Sequence, residues 1–183
     1  MRTVFIDGET LTIEDVAAVA RGYAEVEIPQ NVRERVEKCR QIVEEFVKEK
    51  KVVYGVTTGF GALGSVIIPL ESIKELQLNL IRSHSVGVGK PLEKDVTRAL
   101  MLLRANTLAK GNSGVRLKTL ETLVQMINKG VHPVIPEKGS VGASGDLAPL
   151  SHMTLVMMGE GEAEYEGKIM SGKEAMEKAR ISP

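Results

Sequence analysis

The sequence predicts a mainly α-helical fold with a few short strands, forming a single domain over residues 1–183. Three observations predict it. Apolar residues recur at spacings of three and four within charged stretches, caps and glycine stops bracket those stretches, and the β-branched runs are short. No internal repeat, low-complexity tract or Pro/Ser-rich linker divides the chain.

The elements follow in order. After a strand-like MRTVF, Thr12-Ile-Glu-Asp15 supplies an N-cap and first-turn acids for a helix that Gly22 can close. From Asn31 to Lys50, the residues Val32, Val36, Cys39, Ile42, Val43 and Phe46 form one apolar stripe on a solvated helix. Lys51 to Gly64 turns β-branched and then glycine-rich, which predicts a short strand running into a mobile loop. Ser72-Ile-Lys-Glu75 reads as a capping box for a helix reaching Ser83-His84, with Gly87 and Gly89 as the stop. Two helices follow over Glu93–Lys110 and Gly114–Lys129, with Asn112-Ser113 as turn and cap between them. Val131–Gly145 carries two prolines and three glycines and cannot be helical, whereas Asp146–Met158 is an apolar, buried helix. EAEYEGKIM alternates around Glu166-Gly167 as a hairpin, and Ser171-Gly-Lys-Glu174 caps a final short helix.

Composition narrows the function. Lys+Arg and Asp+Glu both number 24, so no basic excess is available to neutralise nucleic-acid phosphates. With Trp 0, Tyr 3 and Phe 3, base stacking has no platform and the core must be aliphatic. The lone Cys39 cannot form an internal disulfide, and the first residues lack a basic-then-apolar leader, so a reducing, cytoplasmic location is expected. No apolar stretch approaches the ~18 residues needed to span a bilayer, and no membrane role is expected.

Two glycine-rich segments could carry chemistry. GFGALG, Gly59 to Gly64, matches the dinucleotide-binding pattern G-x-G-x-x-G, but SVIIPLES follows it where a helix should open. Gly142-Ala-Ser144 begins like a hydrolase nucleophile elbow, yet Asp146 stands where that motif needs glycine. GSVGASGD can equally be a tight turn whose amides cap a helix or cradle an anion. A third reading depends on the order Ala143-Ser144-Gly145. In a tight bend the Gly145 nitrogen can attack the Ala143 carbonyl and close a five-membered ring, and Ser144 can lose its hydroxyl to leave an exocyclic methylidene. Glycine leaves the attack unhindered, alanine leaves the carbonyl uncrowded, and serine provides the leaving oxygen.

GSVGASGDLAPLSH, Gly139 to His152, resembles the signature of the histidine and aromatic amino acid ammonia-lyases. YGVTTGFG from Tyr54 to Gly61 is similar to that family's lid-loop motif, and RSHSVGVG from Arg82 and RANTLAKGNSGVR from Arg104 also fit, in family order. The resemblance implies the α+β N-terminal part of the ammonia-lyase/aspartase-like helical fold. It also implies a methylidene-imidazolone formed from Ala143, Ser144 and Gly145, with no external cofactor and no metal. Tyr54 then serves as the base for the β-proton, which requires a positive charge or donated hydrogen bonds near its phenol. Gly61 and Asp146 are supporting residues, Asp146 either capping the next helix or assisting cyclisation.

His84 stands where an imidazole can cap a helix C-terminus. By the resemblance, Ser83-His84 also matches the histidine-specific substrate pair, implying L-histidine as substrate and urocanate as product. Phenylalanine or tyrosine ammonia-lyase and aminomutase are the alternatives. His132 and His152 are read as structural. Family members are several times longer and assemble as homotetramers with shared active sites, so the resemblance is to an N-terminal portion, expected to be inactive alone. A non-catalytic helical module that docks a partner, and a serine hydrolase using Ser144, are the competing readings.

Overall fold

The computed structural model describes residues 2–142 and 144–182. Strand β1 (Arg2–Phe5) pairs in parallel with β2 (Ala24–Glu27), and α1 (Ile13–Ala20) crosses between them. The pairing follows from alternation. Val4 and Val26 are partners and both are buried, while their neighbours face outward. Thr12 caps α1 through its side chain, and Asp15 returns a bond to the Thr12 amide, completing a capping box. Asn128 closes the open edge of β2, accepting from the Val26 amide and donating to its carbonyl, both at 2.9 Å.

The centre is built by α4 (Lys94–Ala109) and α5 (Leu117–Lys129), against which α1, α2 (Gln30–Lys48) and β2 pack. Met101, Leu102, Ala105, Leu120, Leu123, Met126 and Ile127 are all buried there. Among the described residues no aromatic side chain is fully buried, in line with an aliphatic core. Arg98 of α4 lies buried within this core, donating to the Val19 carbonyl at the end of α1 and to the Ile127 carbonyl near the end of α5, each at 2.9 Å. A guanidinium there meets the negative ends of two helix dipoles.

The remaining elements frame one end of the molecule. Helix α3 (Leu70–His84) packs on α6 (Leu147–Met157), and β3 (Val88–Pro91) pairs antiparallel with β5 (Pro136–Lys138). β4 (His132–Pro133), β6 (Glu162–Tyr165) and β7 (Lys168–Ser171) form a small antiparallel sheet, whose last strand leads into α7 (Gly172–Lys178). The β6–β7 turn falls at Glu166-Gly167 as expected, and Ser171 caps α7 by accepting from the Glu174 amide. Among the described residues no helix is long and apolar enough to cross a membrane.

Three expectations need correction. No strand forms after Lys51. The Thr57 hydroxyl accepts from the Val53 amide and donates to the Lys51 carbonyl, so local turns satisfy groups a strand would have paired elsewhere, leaving only an isolated bridge from Thr58 to Ile67. The Ser72–Glu75 capping box is unused, because Pro69 already presets the helix start and α3 begins at Leu70. Asn112-Ser113 does not cap α5, which starts at Leu117 after Arg116. The short strands β3 and β5 show no alternation of buried and exposed residues, and their pairing joins segments about fifty residues apart.

Candidate active site

The glycine-rich turn is delivered by β5 and received by α6. Gly145 adopts φ 72°, a left-handed conformation that side-chain-bearing residues disfavour, and it lets the chain fold back. Across the bend the Ser140 hydroxyl donates to the Gly145 carbonyl, tying the two ends of the turn together. Ser144 is exposed between them, and Ala143 lies outside the described residues. Asp146 is the N-cap residue of α6, but its carboxylate makes no capping bond, which speaks against the capping alternative; among the described residues its carbonyl accepts the Leu150 amide at 3.0 Å.

Tyr54 belongs to the loop whose motif resembles the family's lid, and this loop folds back through bonds from Gly59 to Val66 and from Ile68 to Thr57. Its phenol oxygen accepts the Gly61 amide at 3.1 Å, and its ring meets Phe60 edge-on with centroids 5.9 Å apart. Tyr54 is nonetheless 64% exposed, and among the described residues no hydrogen bond joins it to the turn.

His84 closes α3. Its Nδ1 donates to the Leu80 carbonyl at 2.8 Å, with the Ser83 hydroxyl 3.1 Å away, so the imidazole caps the helix as one reading expected. That bond puts the proton on Nδ1 and leaves Nε2 without a protein partner among the described residues. The β3–β5 ladder carries the segment after His84 alongside the segment that enters the turn.

The other two histidines are engaged within the protein. His132 Nε2 accepts from Arg98 at 3.0 Å, and burial, aided by that guanidinium, pushes its pKa down to about 4. His152 Nε2 accepts the Gly87 amide at 3.0 Å, and burial lowers its pKa as well.

An aromatic amino acid lyase family model matches residues 11–183, nearly the whole chain. The chain belongs to the aromatic amino acid lyase family. Histidine ammonia-lyase from Alkaliphilus oremlandii is 60% identical to it over 183 residues, which is 100% of this chain and 36% of that enzyme. Among solved structures, histidine ammonia-lyase from Trypanosoma cruzi superposes with a TM-score of 0.90 at 38% identity, covering 100% of this chain and 35% of the other. Phenylalanine aminomutase from Pantoea agglomerans does so with 0.92 at 38% identity, covering 100% and 35%. The chain thus spans about a third of the length of the curated relatives it matches.

Within this aromatic amino acid lyase chain, sequence reasoning missed Ser140 and the approach of residues 85–89 to the turn. The signal for Ser140 was a hydroxyl five residues before Gly145 in a run of small residues, where only a side chain can bridge so tight a bend. Nothing in the local pattern of SVGVGK announced its pairing with PEK, because strand partners are chosen by tertiary context.

Proposed function

We propose that this chain is the electrophile-forming and substrate-facing part of an enzyme that eliminates ammonia from L-histidine, giving urocanate. Ala143, Ser144 and Gly145 are the residues that cyclise: the Gly145 nitrogen attacks the Ala143 carbonyl carbon, one water leaves with ring closure and a second leaves from the Ser144 side chain. The observation that carries the reading is the bend itself, with Gly145 at positive φ and its carbonyl held by Ser140, inside a family-matched segment. The resulting methylidene-imidazolone supplies an electrophilic carbon that no standard side chain offers, and no external cofactor is invoked.

The chain's own side chains do the rest. Tyr54, its phenol oriented by the Gly61 amide, takes the β-proton of the substrate. His84 offers Nε2 as an acceptor for an imidazole N–H, which histidine carries and phenylalanine lacks. The exposed Asp146 carboxylate beside Gly145 supports cyclisation by accepting a proton. Homotetrameric assembly of the whole protein and a reducing, cytoplasmic setting belong to the same reading, supported by family membership and the lone Cys39.

An aminomutase is the second reading, favoured by the likeness to phenylalanine aminomutase over the whole chain. Joining residues 1–183 to the remaining length of the Alkaliphilus relative and offering histidine, phenylalanine and tyrosine separates the two. Urocanate from histidine, absent in a Ser144→Ala control, is the expected product. Turnover of phenylalanine or tyrosine alone, or a β-amino acid product, rejects the histidine reading.

A further inference from the structure

We infer that His152 is a positioning residue, whose Nε2 clamps the loop following His84 onto the helix that begins at the electrophile-forming turn. The inference rests on the reading of residues 143–145 as that turn. His152 stands on the second turn of α6 and accepts the Gly87 amide at 3.0 Å, joining segments 65 residues apart. Gly87 lies just outside the β3–β5 ladder, which runs from Val88↔Lys138 to Pro91↔Pro136, so its N–H goes to the imidazole.

The backbone around this bond is packed to its limit. A Cβ on Gly87 would sit 3.0 Å from His152 Nε2 and 3.1 Å from the Pro136 ring. A Cβ on Gly139, the first residue of the signature segment, would sit 3.1 Å from Gly87 Cα and 3.1 Å from Ala148 Cβ. Four segments therefore meet at one point: the loop after His84, the start of β5, the entry to the turn and the first turn of α6. Glycines permit this approach without directing it. The side-chain bond that ties the loop to α6, beside the β3–β5 ladder, is the one His152 makes, and it requires an unprotonated Nε2, because an amide can only donate. The burial that lowers the pKa of His152 favours that neutral ring. Beside the packing of α3 on α6 and the Arg82–Glu160 ion pair, which hold the end of α3, this bond holds the loop that follows His84 and keeps Gly139, where the bend begins, pressed onto α6.

Three chains test the clamp: the parent, His152→Leu, which keeps bulk but has no acceptor, and His152→Gln, whose side-chain oxygen reaches about as far as Nε2. Residue-resolved hydrogen exchange reads the Gly87 amide, intact mass reads the fraction lacking two waters, and the urea midpoint reads global stability. In His152→Leu the Gly87 amide should exchange roughly five- to tenfold faster, the size of one lost hydrogen bond. The cyclised fraction should fall, the urea midpoint should barely move, and His152→Gln should restore both local readouts. Unchanged Gly87 exchange in His152→Leu overturns the clamp. So does equal cyclisation in a parent and a His152→Leu chain that both show the mass loss. A parent without the mass loss counts against the electrophile reading instead, and the exchange comparison then decides the clamp alone.

Discussion

At Tyr54 a phenol on an exposed loop is held by one backbone amide, and its proposed work is done by the oxygen alone. In the joined lyase described above, Tyr54→Phe should lower kcat by about 10²- to 10⁴-fold, the span of a lost general base, while leaving the urea midpoint of the chain nearly unchanged. Steady-state kinetics beside a urea titration checks both halves. His132 makes a different residue-scale prediction. Its folded pKa of about 4 lies below the ordinary 6.5, so between those values the unfolded chain binds more protons than the folded one. The stability due to the neutral ring is therefore complete above pH 6.5 and is lost as pH falls towards 4. Urea midpoints measured from pH 7 to pH 4.5 should decline in the parent and decline less steeply in His132→Gln. The Asp7 carboxylate, held down to about 2 by bonds from Thr10 and Glu9, does not interfere in this range: its contribution is complete above pH 3.8 and is lost only as pH falls from there towards 2.

Among the elements, α1 shows how local chemistry sets a boundary. Thr12→Ala removes the side-chain half of its capping box and should cost about 1 kcal/mol, read from a urea titration. This start was legible in Thr12-Ile-Glu-Asp15, as were the β6–β7 turn and the Ser171 cap, because each depends on residues within four positions of one another. The start of α3 and the fate of residues 51–58 were not. There, a proline immediately before the helix and a threonine hydroxyl decided between local options that propensity ranks alike. The proposed site divides the same way: Ser144, Gly145, Tyr54 and His84 are singled out by motifs in the sequence, whereas the Ser140–Gly145 and Gly87–His152 bonds exist only once the chain has folded.

Across the whole molecule, Arg98 joins elements that are far apart in sequence, taking the last-turn carbonyls of α1 and α5 and the ring of His132. Arg98→Met would leave those acceptors unpaired in the interior and should destabilise the chain by about 2–4 kcal/mol, measurable as a lower urea midpoint. Apolar side chains also stand exposed around the proposed site: Ile67, Val86 and Val141 are 62%, 65% and 82% exposed on the segment after Tyr54, the segment after His84 and the glycine-rich turn. The central claim is that Ala143, Ser144 and Gly145 cyclise, and the most direct test is the intact mass of the purified chain beside its Ser144→Ala variant. A parent lighter than its sequence by two waters, with the variant at full mass, is the expected result; full mass in both chains, each folded by circular dichroism, contradicts it.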